Sequence, residues 1–198
     1  MCAKNEVGVK GSLKSFDRLI DALEELGGVG RKSALRLAFE MVLQDPYKGH
    51  KLAHAIEEAL SHIHPCERCG GLSEDELCAI CSDSLRDATQ LCLVQSAKDI
   101  LIIEESGEYH GRYFVFERLS EERLERLREA VEANGAKEII FAFPPSIQND
   151  ALMLYIEDQL KDLDLEFTKI AQGVPTGVHL ENVDLLSLAR AISERVKA

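Results

Sequence analysis

Apolar positions recur at helical spacing through the first third of the chain and at strand spacing beyond it. Phe16, Leu19, Ile20, Leu23 and Leu26 follow Ser15, a good N-cap residue, and predict an amphipathic helix over 16–26 that ends at Gly27, Gly28 and Gly30. A second helix is predicted over 31–44, with Ala34, Leu37, Ala38 and Met41 on one face and Pro46 closing it. A third, over 48–62, is expected to bury Leu52, Ile56, Ala59 and Leu60. After residue 82 the pattern changes. Short apolar runs at 91–94 (LCLV), 113–116 (YFVF), 138–143 (EIIFAF) and 167–171 (FTKIA) alternate with helical segments near 98–106, 121–133 and 148–161. Strands alternating with helices predict an α/β layer with a largely parallel sheet. A final helix is expected over 184–196, after the turn GVPTG at 173–177.

Composition narrows the class. The chain has 198 residues, 45% of them hydrophobic, enough for a real core divided among small domains. No run of about 18 apolar residues occurs and the first residues lack the apolar stretch of a signal peptide, so a soluble cytoplasmic protein is expected. The formal net charge of −12 is opposite to that of most nucleic-acid binders. That acidity is unevenly spread: residues 1–40 hold seven Lys/Arg against six Asp/Glu, whereas residues 83–198 hold thirteen against twenty-two. Because the Debye length is roughly 8 Å at physiological salt, a local basic patch can work on such a body.

The six cysteines are grouped rather than dispersed. CERCGGLSEDELCAIC sets Cys66 and Cys69, then Cys78 and Cys81, as two CxxC pairs. Each pair can form a knuckle, and four thiolates together can close a tetrahedron around Zn2+ with no position left for water, which points to a structural site. Reduced buried thiols or a redox CxxC are the simpler alternatives. His62 and His64 lie near enough in sequence to be rival ligands, or are polar residues at a helix end.

The stretch LGGVGRKSALRLAF at 26–39 places a GxG turn between two helices. Gly28 and Gly30 let the backbone approach a ligand closely, and the free N–H groups at the second helix's start can meet a phosphate oxygen. Arg31, Lys32 and Arg36 lie on its first turns, the latter two four apart on one face. Such contacts grip phosphate without reading bases, and predict non-specific, salt-sensitive DNA binding. An ordinary helical hairpin with a solvated basic face is the plainer reading.

Taken together and in order, the hairpin, the cysteine stretch, the segment LCLVQSAKDILIIEESGEYHGRYFVF and the ending GVPTGVHLENVDLLSLARAISER resemble the RecR family of bacterial recombination mediators. The resemblance implies four parts: a helix-hairpin-helix over 1–55, a four-cysteine zinc finger over 56–82, a Toprim-like α/β domain over 83–172 and a Walker-B-like segment over 173–198. It further implies a non-enzymatic DNA-repair protein that forms dimers and tetrameric rings and works with RecO, and often RecF, to load recombinase on gapped single-stranded DNA. Carried over to this chain, the DNA contacts fall on Lys32 and Arg36 and one structural zinc falls on Cys66, Cys69, Cys78 and Cys81.

One departure bears on mechanism. An active Toprim site needs a glutamate ending its first strand and acids at a later strand end to hold magnesium. Here the first position is Gln95, and FAFPPSIQND puts Gln148 and Asn149 where the family commonly has acids, leaving Asp150. Asp162-Leu163-Asp164 is read as a solvated loop, and Asp99, Glu104 and Glu105 as a charged helix face or a partner surface. The C-terminal segment has no GxxxxGK[ST] loop, so no ATPase is expected. Two other classes remain open: a metal-dependent Toprim nucleic-acid enzyme, and a zinc-stabilised module that binds only protein.

Overall fold

A computed structural model describes residues 13–171 together with 182, 183 and 187, so the GVPTG turn and all of the expected final helix except Ser187 lie outside the described residues. The chain divides into one unit ending at His62 and another beginning at Ile63.

In the first unit, α1 (Lys14–Glu24) and α2 (Arg31–Phe39) pack as a hairpin around Ile20, Ala34 and Ala38, with Phe16, Leu19, Leu23 and Val29 against them. Two alanines at i and i+4 let the helices approach closely. The first helix starts before the expected cap: Leu13 precedes it, and Ser15 sits inside its first turn without capping it. The second helix does not run on to residue 44 as expected. It gives way to a π-helical turn, Glu40–Gln44, in which the Asp45 N–H reaches back to the Glu40 carbonyl at 2.8 Å. Pro46 does more than close a helix, because it opens α3 (Pro46–His62): proline suits the first helical position, and the Asp45 carboxylate accepts from the Lys48 N–H at 3.2 Å. Gly49 is needed where α3 meets the π turn, since a Cβ there would lie 2.8 Å from the Met41 carbonyl oxygen.

The third helix corrects a second expectation. Its apolar stripe exists, but no α3 residue is buried, and Leu52, Ile56 and Leu60 are 46%, 51% and 80% exposed. Among the described residues, the small core of this unit is built from α1 and α2, and the α3 stripe contributes nothing to it.

In the second unit, a short hairpin of β1 (His64–Pro65) and β2 (Leu72–Ser73) and the single turn α4 (Ala79–Ser82) carry the cysteines. Then follow β3 (Asp87–Val94), α5 (Ala97–Ser106), β4 (Gly111–Val115), α6 (Glu121–Asn134), β5 (Glu138–Phe141), α7 (Ile147–Gln159) and β6 (Glu166–Lys169). The four long strands form a parallel sheet in the order β4-β3-β5-β6. Side chains alternate between its faces, as strand geometry requires. Leu91, Leu93, Phe114, Ile139 and Phe141 meet α6 and α7 through Leu127, Val131, Ile156 and Leu160. Cys92, Val94, Tyr113 and Val115 face the other way, against Ile100 of α5 and Ile80 of α4. Both faces are covered, which explains the near-continuous apolar runs.

Serines 96, 120 and 146 cap α5, α6 and α7, and Gly107 and Gly135 end the first two in the left-handed conformation. Asp99 completes a capping box by accepting from the Ser96 N–H. Glu104 accepts from Arg86 and, at 2.7 Å, from the Tyr113 hydroxyl. That network clamps α5 to β4, and the hydrogen bonds from Arg86 first and Tyr113 next, aided by the Arg86 charge, hold the Glu104 carboxyl below its usual range against the opposing effect of burial. Asp162 makes a two-pronged ion pair with Arg128 at 2.7 and 2.8 Å. These acids therefore serve local structure, with Glu105 exposed on the solvent face of α5.

Candidate nucleic-acid interface and metal centre

The turn between α1 and α2 is built for close approach. Gly28 has φ +86°, and a Cβ at Gly27, Gly28 or Gly30 would meet nothing within 4 Å, so the backbone on that side is open. Gly30 is extended and its carbonyl takes the Ser33 and Ala34 N–H groups at 2.9 and 3.0 Å. Among the described residues, the N–H groups of Arg31 and Lys32 have no such acceptor and point outward at the positive end of α2. Gly28→Ala is expected to cost about 1–2 kcal/mol through backbone strain alone; a melting curve unchanged from the parent would refute this.

The three basic residues sit differently. Lys32 is exposed and, among the described residues, makes no ion pair. Arg36, one turn on, is exposed with Glu40 at 4.0 Å, and Glu40 bonds Lys48 more closely at 3.0 Å. Arg31 instead reaches back across the turn to Asp21 at 2.9 Å and Glu24 at 2.6 Å. Glu24 first, then Asp21, raise its pKa through these hydrogen bonds. Nothing in the linear sequence marked Asp21 and Glu24 beyond their spacing of three on α1, which puts both on one helix face.

The cysteines come together as their spacing implies. Their four sulfurs all lie within 4.8 Å of one another, and all four residues are buried. The first knuckle turns at Gly70, φ +76°, where Gly71 N–H donates to Cys69 Sγ at 3.3 Å. The second opens α4, and Cys78 N–H donates to Cys66 Sγ at 3.3 Å. Bonding from Cys81, aided by Gly71 N–H, pulls the Cys69 thiol down to about 5, while burial pushes Cys78 up to about 11. Four thiolates this close need a divalent cation to share their charge, and an all-sulfur tetrahedral donor set suits Zn2+. His64 is not part of the cluster, its Nδ1 facing the Pro65 carbonyl oxygen, and the His62 Nδ1 faces the Glu58 carbonyl oxygen within α3.

The finger is fastened to the sheet by residues that sequence reasoning passed over. Val115 N–H donates to the Cys69 carbonyl at 2.8 Å, so the first knuckle extends the β4 edge. Arg126 donates to the Glu67 carbonyl and Arg68 to the Cys81 carbonyl, at 2.5 and 2.8 Å. Arg123 lies 4.9 Å over the Phe114 ring, bonds the Val115 carbonyl and fills the space beside Gly70. In the sequence Arg123 and Arg126 look like ordinary helix-surface charges.

At the carboxyl end of β3, Gln95 donates to Asn149 Oδ1 at 2.8 Å, and Asn149 donates to the Pro144 carbonyl at 2.6 Å. An amide pair occupies the place where an active Toprim site would hold a metal between carboxylates. Gln148 and Asp150 are exposed beside it. Neutral amides make this strand end a poorer magnesium site than paired carboxylates would.

Comparison with known proteins agrees with this geometry. Residues 16–60 match the family model for the RecR helix-hairpin-helix, and residues 63–83 that for the RecR four-cysteine zinc finger domain. A "Recombination protein RecR" from a Nitratiruptor species is 68% identical over 189 residues, covering 96% of this chain and 100% of the relative. The chain belongs to the RecR family. RecR proteins from Campylobacter jejuni subsp. doylei and Helicobacter pylori are 50% and 48% identical, covering 93% and 96% of this chain and 97% and 98% of their own lengths. As a RecR protein the chain has a role in recombination and repair, carries a helix-hairpin-helix, and holds a structural zinc in its four-cysteine finger. No described helix of this RecR chain is long and apolar enough to cross a membrane.

Proposed function

We propose that the protein is a non-enzymatic recombination mediator that grips DNA phosphates as a homo-oligomeric clamp. With RecO, and RecF where it takes part, it loads recombinase on gapped single-stranded DNA; those partners rest on the family resemblance. The observation that carries the DNA site is the open GGVG turn with outward N–H groups beside exposed Lys32 and Arg36. Gly28 and Gly30 shape the approach, and Cys66, Cys69, Cys78 and Cys81 are the zinc ligands. The non-enzymatic reading is supported by the Gln95–Asn149 pair, which supplies no carboxylate for metal chemistry.

The exposed stripe on α3 supports assembly. Leu52, Ile56 and Leu60 extend along one side of a 17-residue helix, and an apolar groove lined by Leu13, Phe16, Leu19, Phe39, Val42 and Leu43 lies in the same unit. Apolar surface of this extent marks an interface, and a second copy is the occupant the clamp requires. A hairpin with two phosphate contacts binds weakly alone, whereas linked copies on one DNA gain roughly 10²-fold or more through effective concentration. Leu52→Glu/Ile56→Glu should keep its helical content, because both side chains are already exposed. It should sediment as a smaller species and lose about 10²-fold in DNA affinity. Tight binding by a variant proven monomeric would refute the clamp.

A further inference from the structure

Arg31 stands where a phosphate-binding residue is most useful, on the first position of α2, yet its guanidinium is turned onto two carboxylates. Asp21 and Glu24, three apart on α1, present oxygens at 2.9 and 2.6 Å to one Nη1. A phosphodiester offers the same recognition: anionic oxygens that accept charge-assisted bonds from guanidinium. Arg31 and Asp21 are 63% and 64% exposed and Glu24 29%, so water already competes for the guanidinium and the ion pairs are weak enough to be exchanged. A phosphate held by the outward N–H groups of α2 would lie beside this arginine, with the helix dipole favouring phosphate at that position.

We propose that Asp21 and Glu24 are built-in competitors of the DNA backbone: they hold Arg31 in the free protein, yield it to a phosphodiester on binding, and so keep each hairpin weak. This rests on the proposal that the hairpin is the DNA site. The consequence is a site with two standing contacts, Lys32 and Arg36, and a third that must be won from an internal rival. Low intrinsic affinity makes productive binding depend on several hairpins engaging together.

The test uses the full chain and a labelled gapped duplex, with affinity measured across a salt series. Asp21→Asn/Glu24→Gln should bind about 3- to 10-fold tighter at low salt, and the slope of log K against log salt should steepen by up to about 0.9 for each hairpin engaged on duplex, because no carboxylate is left to take up cations when Arg31 moves onto the phosphate. Asp17→Asn/Glu25→Gln removes the same charge from α1 at positions that do not pair with Arg31, and should leave the slope unchanged. Adding Arg31→Ala to the first variant should abolish the steepening. Glu24→Gln alone, which leaves Asp21 in place, should give an intermediate gain and guards against misfolding of the double variant. The proposal is overturned if the Asp21/Glu24 variant binds no tighter than the control, or if its steeper slope survives Arg31→Ala. A loss of melting temperature with unchanged binding would also overturn it, since the carboxylates would then only staple α1 to α2. Failure of the underlying DNA site would look different: the Lys32→Ala/Arg36→Ala variant of the parent chain would bind as well as the parent.

Discussion

Stripping zinc with a chelator, or replacing a ligand by Cys69→Ser, should destabilise the second unit by more than about 4 kcal/mol, a loss of the size that follows removal of a structural metal. The expectation rests on where the finger is attached. Without the metal, the buried sulfurs lose the cation that holds two knuckles together, and the Cys69 carbonyl no longer has a fixed place opposite the Val115 N–H. Damage should therefore spread from the finger into the β4 edge, past Arg123 and Arg126, whose partners are finger carbonyls and the strand beneath them. Thermal unfolding followed beside zinc content reads the first effect, and amide exchange at Val115 reads the second. A protein verified free of metal that melts at the parent temperature would show the finger to be dispensable. Early exchange confined to residues before 83 would show that the sheet edge does not depend on it.

The other large effect belongs to the DNA. Lys32→Ala/Arg36→Ala removes both exposed cations of the hairpin's outer face while leaving its buried contacts, Ile20, Ala34 and Ala38, untouched. Each charge-assisted contact contributes about 1.5 kcal/mol or more, so losing two should weaken binding by about 100-fold at low salt. The salt slope should fall by about 2 per hairpin engaged on duplex, the signature of lost phosphate neutralisation. The loss should be similar for unrelated sequences, because backbone contacts carry no base information. Binding equal to the parent would place the interface elsewhere on the chain, and a loss confined to one sequence would mean that the hairpin reads bases.

Much of this was legible in the sequence, for reasons that differ by element. Two CxxC pairs leave few ways to satisfy four thiolates, so the cluster could be read from spacing alone. The α/β layer announced itself because both faces of its strands are buried, so their apolar runs stand out between the helical segments. Periodicity misled at α3: the spacing of Leu52, Ile56 and Leu60 marks an apolar face but says nothing about what covers it. The break at Glu40 had no local signal, since EMVLQ contains neither glycine nor proline, whereas Asp45-Pro46 carried a helix-start signature that a closing proline obscured. Arg31 could not be assigned from position, because its partners lie ten and seven residues back and meet it only when the hairpin folds. The arginines around the finger were hidden in the same way, their acceptors being backbone carbonyls that only the fold brings near.

The hydrogen bond between Gln95 and Asn149 fixes the carboxyl end of β3 to the start of α7 through two neutral groups. Neither amide gains or loses a proton in any buffer that keeps the chain folded, and neither holds a divalent ion firmly. The link itself therefore carries no charge to titrate, and the contact between β3 and α7 does not change with pH through either partner. In a buffer screen, variation in DNA affinity should trace to ionic screening at the hairpin rather than to protonation of this amide pair.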